Sequence, residues 1–158
     1  MKILLQRVKH AEVRVKENVV GKINQGLLLF FCAEKGDTKE NSLWLAKKCS
    51  KLKLFQDENN KTTMNINQIK GELLIISQFT LAASCKKGNK ANYSHAAPPE
   101  QAKELYNHFI NTCQSLCEKK IQTGIFGSYM QVSLINDGPK TLLLSKTTIP
   151  KNNRINCV

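Results

Sequence analysis

Acidic residues are scarce: 12 Asp and Glu stand against 24 Lys and Arg, leaving a formal net charge of +12. A field of that sign excludes a polycationic partner and draws in polyanions, nucleic acid foremost. A surface of scattered solvated lysines gives the same count, so the charge marks a footprint without locating it. Long apolar runs are missing too. None approaches the roughly 18–20 residues that cross a bilayer, and Met1-Lys2-Ile3-Leu4-Leu5 meets Gln6-Arg7 before a signal sequence can build. The six cysteines include no Cys-x-x-Cys pair and no zinc-finger spacing with the three histidines. Cys113 and Cys117, four apart on an expected helix, read as small buried apolar residues. Thiols of this kind and the missing export signal predict a cytoplasmic protein with no membrane partner. Absent as well are Gly-x-Gly-x-x-Gly after a strand, a Walker loop, His-Glu-x-x-His and a Gly-x-Ser-x-Gly elbow, so neither a cofactor nor a metal is expected. Aromatic residues, at 6%, are too few to argue a base-stacking surface.

What is present reads as one α+β domain. Residues 3–8 are mainly apolar, broken by Gln6-Arg7, and Ala11, Val13 and Val15 alternate with Glu12, Arg14 and Lys16, the period of a strand with one wet face. Residues 27–33 form a continuous apolar run short enough for a strand buried on both sides. Asp37 and Glu40 resemble a capping box, and Leu45, Cys49 and Leu52 recur at helical spacing, which predicts a helix from about 38 to 53. Residues 55–68 are polar, a loop or hairpin, and residues 73–76 form a further central strand. After Pro98-Pro99, the positions Ala102, Leu105, Tyr106, Phe109, Cys113 and Leu116 keep a 3.6-residue period, the clearest helix in the chain. Residues 130–135 predict a strand, Asn136-Asp137-Gly138-Pro139 a turn, and residues 141–145 a last strand. The fold expected is a single domain of about six or seven strands and two main helices, its mixed sheet curved strongly enough to form a partly closed barrel. The domain spans 1–145, followed by a basic tail over 146–158.

Two polar interruptions beside apolar strands can carry chemistry. Ser77-Gln78-Phe79-Thr80 closes a buried strand with two hydroxyls, an amide and a ring; a strand end is a rigid platform whose N–H groups leave the ladder and can face a developing oxyanion. The plainer reading has Ser77 and Thr80 satisfying the chain end while Phe79 packs in the core. Asn136-Asp137-Gly138-Pro139 reads first as a tight turn; a cis peptide there would present a stiff run of carbonyls to a ligand.

Ser77-Gln78-Phe79-Thr80-Leu81, Gln122-Thr123-Gly124-x-Phe126-Gly127 and Asn136-Asp137-Gly138-Pro139, with Gln6-Arg7-Val8, Gly26-Leu27-Leu28 and Ala96-Ala97-Pro98, stand in the order and near the spacing of one known family. The chain resembles the D-aminoacyl-tRNA deacylases from residue 1 to about 144. The resemblance implies a homodimer of partly closed barrels with the active site at the subunit interface. Ser77, Gln78, Phe79 and Thr80 would line the pocket of one subunit, and Gly138 and Pro139, joined in cis, would enter from the other. Arg7 would brace that loop by forking onto backbone carbonyls, with Asn136 in support.

The implied reaction is hydrolysis of the ester that joins a D-amino acid, or glycine mischarged on tRNA(Ala), to the 3′ acceptor end of tRNA. It releases free D-amino acid and tRNA, a chiral proofreading step in translation. No His or carboxylate in the motif is placed to activate the Thr80 hydroxyl. Water aimed with help from the 2′-hydroxyl of the terminal adenosine, and an oxyanion held by N–H groups near Phe79 and Thr80, is the expected mechanism. A rigid main-chain wall would exclude an L side chain and ask nothing of a D one. Lys86, Lys87, Lys90 and Lys140 are the candidate tRNA contacts. The chain departs from the family pattern at Lys90-Ala91-Asn92-Tyr93, where an Arg-Pro-Ser-Phe stretch is frequent, and at Lys140, where an apolar residue is usual. A non-catalytic nucleic-acid-binding barrel and a deacylase relative with a trans Gly138-Pro139 bond are the other two readings.

Overall fold

The structure is a computed structural model that describes residues 1–86 and 88–147. Its backbone is a 14-residue strand β1 (Lys2–Val15), followed by β2 (Asn18–Ile23) and β3 (Gly26–Cys32). Helix α1 (Lys39–Lys51), the small hairpin β4 (Phe55–Gln56) and β5 (Thr62–Met64), and β6 (Glu72–Ser77) come next. A 3-10 turn (Phe79–Ala82), α2 (Pro99–Leu116), β7 (Gln122–Thr123) and β8 (Gln131–Ser145) complete it. The sheet is mixed: β1 pairs antiparallel with β2, β3 and β8, whereas β3 and β6, and β6 and β7, run parallel.

The apolar runs are central strands because each feeds two cores. Leu27, Leu29 and Phe31 of β3, with Leu73 and Ile75 of β6, face the helices; Leu28, Leu74 and Ile76 face the barrel interior with Val8, Val13 and Ile23. Period-2 geometry thus turns an unbroken apolar run into two buried surfaces. On the helix side Phe109 of α2 is fully buried, its ring 5.2 Å from that of Phe31, and Leu45, Ala46 and Cys49 supply the matching face of α1. Cys49, Cys113 and Cys117 are buried free thiols, as expected of small apolar side chains; Cys157 lies outside the described residues.

The barrel closes where β2 curls onto the far side of the sheet. A Cβ on Gly21 would stand 2.7 Å from the carbonyl oxygen of Thr123, so only glycine lets β2 and β7 approach this closely. Gly26 is tighter, with a notional Cβ 1.9 Å from the Glu72 carbonyl oxygen.

Two expectations change. The residues forecast as strand, turn and strand are one continuous strand, β8, whose two halves both pair with β1. Between the pairs Gln6↔Thr141 and Val8↔Asn136, residues 137–140 stand opposite Arg7 alone. Pro139 has no N–H for the ladder, so the chain swells outward as a wide bulge and resumes pairing rather than reversing. The Asp37–Glu40 capping box does not form either: Thr38 is the N-cap and makes no side-chain cap bond. Asp37 is instead drawn to the Met1 ammonium and accepts the Glu34 N–H, a buried charge outweighing a helix-end hydrogen bond.

Gly26→Ala is expected to destabilise the fold by about 3 kcal/mol, because the clash is with backbone that cannot rotate away. Urea denaturation reads it; an unchanged midpoint would mean that β3 and β6 are not held this close.

Candidate active site

The parallel pairing of β6 with β3 ends at Phe31↔Ser77, and the Gln78 N–H adds one more bond to the Phe31 carbonyl at 2.7 Å. Gln78 then swings to φ −145°, ψ 76°, and the chain tightens into the 3-10 turn. Phe79 and Thr80 head that turn, so their N–H groups have no acceptor within it, and neither finds one among the described residues. Ser77, Gln78 and Thr80 are half-buried, whereas Phe79 is 57% exposed. The Phe79 ring meets that of Tyr93 edge-on, centroids 5.2 Å apart.

The Gln78 side-chain amide donates to the Thr80 hydroxyl oxygen in a short hydrogen bond. A hydroxyl whose oxygen accepts from an amide, with no base beside it, is fixed in direction rather than primed to attack. Cys32 lies against the same turn, its sulfur 3.5 Å from the Phe79 carbonyl oxygen. Burial, with the Glu34 carboxylate adding to it, pushes that thiol up to about 11, so it carries no thiolate at neutral pH. The turn is strapped from below by Lys2, whose Nζ donates to the Leu81 carbonyl at 3.2 Å and pairs with Glu34 at 2.9 Å. Burial alone would raise the Glu34 carboxyl, but the Lys2 hydrogen bond and the Met1 ammonium together hold it below its ordinary value.

The bulge of β8 carries the second group of candidate residues. Arg7 stands in register with Ile3 and Leu5, where alternation would place an apolar residue, and is 7% exposed. Its guanidinium donates through Nε to the Asp137 carbonyl at 3.0 Å, through one terminal nitrogen to the Gly138 carbonyl at 3.2 Å, and through the other to the Leu54 carbonyl. An ion pair to the Asp137 carboxylate at 2.9 Å completes the set. Five donors in one plane serve three carbonyls that no partner strand satisfies. At the neck of the bulge Gln6 and Thr141 both donate to Oδ1 of Asn136, at 2.9 and 3.0 Å. The Gly138–Pro139 peptide is cis, and both residues are exposed.

Within one chain these two groups are apart. The 3-10 turn sits level with Lys2, while the bulge sits level with Arg7, an offset of five residues or roughly 17 Å along β1, on different strands. The lysines divide likewise: Lys86 and Lys90 are exposed on the loop after the turn, Lys140 is half-buried in the bulge, and Lys87 lies outside the described residues. Sequence reasoning missed Lys2, Glu34 and the Leu54 carbonyl, since a strap between strand ends far apart in the chain leaves no periodic trace. Tyr93 was visible only as a departure from a pattern.

A strand end offering a fixed hydroxyl and two free N–H groups has the outline of a site that stabilises an oxyanion during acyl transfer. The family model described as D-Tyr-tRNA(Tyr) deacylase matches residues 4–145. The D-aminoacyl-tRNA deacylase of Thermosipho africanus is 48% identical over 149 residues, 94% of this chain and 99% of the relative. That of Haemophilus influenzae is 47% identical over 142 residues, 90% and 97% of the two chains. Among solved structures, one titled c-Myc DNA Unwinding Element Binding Protein superposes with a TM-score of 0.88 at 34% identity, covering 94% of this chain and all of that one. Another, a probable eukaryotic D-amino acid tRNA deacylase, shares the fold at a TM-score of 0.77 and 15% identity, over 90% and 97% of the chains. The chain belongs to the D-Tyr-tRNA(Tyr) deacylase family.

Arg7→Ala strands buried carbonyls and the Asp137 carboxylate together, and is expected to lower stability by about 3–5 kcal/mol. Arg7→Lys, with one nitrogen in place of three, should recover less than half of that. Chemical denaturation of the two variants checks both; equal stability of wild type and Arg7→Ala would mean that the fork does not hold the bulge.

Proposed function

We propose that the chain is a D-aminoacyl-tRNA deacylase, which hydrolyses the ester between a D-amino acid and the 3′ end of tRNA to give free D-amino acid and tRNA. Membership of the family, across nearly the whole chain, is the observation that carries this. The substrate ester is already activated, so the work left to the protein is to aim water and stabilise one oxyanion. The free N–H groups of Phe79 and Thr80 serve the oxyanion, each such donor being worth roughly 3–4 kcal/mol in the transition state. The 2′-hydroxyl of the terminal adenosine directs the water, and Thr80, held by Gln78, orients rather than attacks.

The enzyme works as a homodimer in which Gly138 and Pro139 of one subunit reach the Ser77–Thr80 strand end of the other. The offset of roughly 17 Å along β1 between the two elements within one chain, and the outer edge of β8, which bonds to β1 alone among the described residues, both favour a donated bulge. Ile135 and Leu143 on that strand are 54% and 61% exposed, apolar area of the kind that subunit contacts cover. A braced main-chain wall then excludes an L side chain by shape, accepts D-aminoacyl groups regardless of identity, and passes glycine on tRNA(Ala). The site of action is the cytoplasm, domain 1–145 carries the activity, and the basic residues 146–158 add to the field that attracts tRNA.

Incubation with D-tyrosyl-, glycyl- and L-tyrosyl-tRNA tests the reading. Loss of the first two esters with the third spared is expected; a protein inert toward all three but retaining RNA would be a binding module, the reading that the +12 charge alone would suit. Thr80→Ala should lower kcat by no more than about 100-fold, since the N–H groups remain. Loss on the order of 10⁶-fold, as for a missing nucleophile, would make Thr80 the attacking group.

A further inference from the structure

Beyond the strand end, the loop between the 3-10 turn and α2 lines a half-open cavity of about 440 Å³. Its polar lining is Ser84, Lys86, Lys90, Asn92, Ser94 and His95, with no carboxylate among them. Two antiparallel hydrogen bonds between Ser84 and Asn92, at 2.8 and 3.0 Å, pinch the loop shut at its base. The Asn92 side chain caps the Ser94 N–H at 2.7 Å, so the walls are set by hydrogen bonds within the loop. Among the described residues Lys86 and Lys90 have no ion pair. Two unneutralised ammonium groups converging with hydroxyl, amide and imidazole groups make a cavity suited to an anion rich in oxygen acceptors.

The position of the cavity narrows the anion. Ser84 follows Thr80 by four residues, the 3-10 turn ending at Ala82 and Ala83 being extended, so the two lie within roughly 14 Å of each other even on a fully extended path. Tyr93, between Asn92 and Ser94, has its ring against Phe79, so the cavity and the reacting strand end share a wall. We propose that this cavity holds a backbone phosphodiester of the single-stranded 3′ end of the substrate tRNA, one or two nucleotides 5′ of the terminal adenosine, with Lys86 and Lys90 as its counter-charges. This rests on the deacylase reading and adds to it a second anchor. Held at a phosphate as well as at the ester, the acceptor end keeps its terminal ribose over the strand end, which converts charge attraction into orientation.

The test compares two substrates, D-tyrosyl-tRNA and the 3′-D-tyrosyl ester of adenosine, which has no phosphate. For K86A/K90A the expected result is a rise in KM on the tRNA of about 10- to 100-fold, kcat little altered, and a change of less than about 3-fold in kcat/KM on the adenosine ester. The slope of log(kcat/KM) against log salt on the tRNA should flatten by about 0.7 for each phosphate that the double variant no longer neutralises. K86R/K90R, which keeps the charge, should restore both. Equal losses on the two substrates, or an unchanged KM and salt slope on the tRNA, overturn the proposal while leaving the deacylase reading intact. Wild-type protein inert toward both esters would overturn that reading, and the proposal with it; melting temperatures of the variants separate any of these from misfolding.

Discussion

One buried cation organises this molecule. Arg7 occupies a strand position that the surrounding alternation reserves for a hydrocarbon, and its guanidinium meets carbonyls of residues 54, 137 and 138 together with the Asp137 carboxylate. Had the position been apolar, residues 137–140 would have had to leave the sheet as a solvated loop with no fixed shape. With the guanidinium there, the bulge is tied to the strand it interrupts and to the segment after α1 at once, so a feature on the rim inherits the rigidity of the core. The wall proposed to sort esters by shape depends on this rigidity.

A similar economy holds the other candidate element. The 3-10 turn has few apolar contacts of its own, since Ala82 is its only buried residue. It is fixed instead by polar ties from the ends of β1 and β3: the Lys2 ammonium, the Glu34 carboxylate and the continuation of the β3–β6 pairing at Gln78. Exposed side chains such as Phe79 are therefore presented on a backbone that does not move with them.

Much of this was legible in the residues. The 3.6-residue period of α2, the apolar runs of β3 and β6 and the α+β class follow directly from spacing, because each is a repeated local signal. The motif at Ser77-Gln78-Phe79-Thr80 was visible as polar residues at the end of an apolar strand. What spacing misjudged was Asn136-Asp137-Gly138-Pro139. Its residues are those of a tight turn, and whether such residues reverse a chain or swell it depends on what the two flanks pair with, here the same strand β1. Asp37 misled for the same reason: its helix-capping chemistry is local, and the Met1 ammonium that claims it is brought there by the fold.

The bulge has a second effect, unrelated to chemistry. A 15-residue strand bonded, among the described residues, on one side only offers a template onto which any stray extended chain can add. Proline, with no hydrogen to give, and the outward swelling around it break that template near its middle into two short lengths that no flat partner can follow in register. The kink that shapes the proposed recognition surface therefore also guards against fibrous self-association, most useful to freshly synthesised chains in a crowded cell.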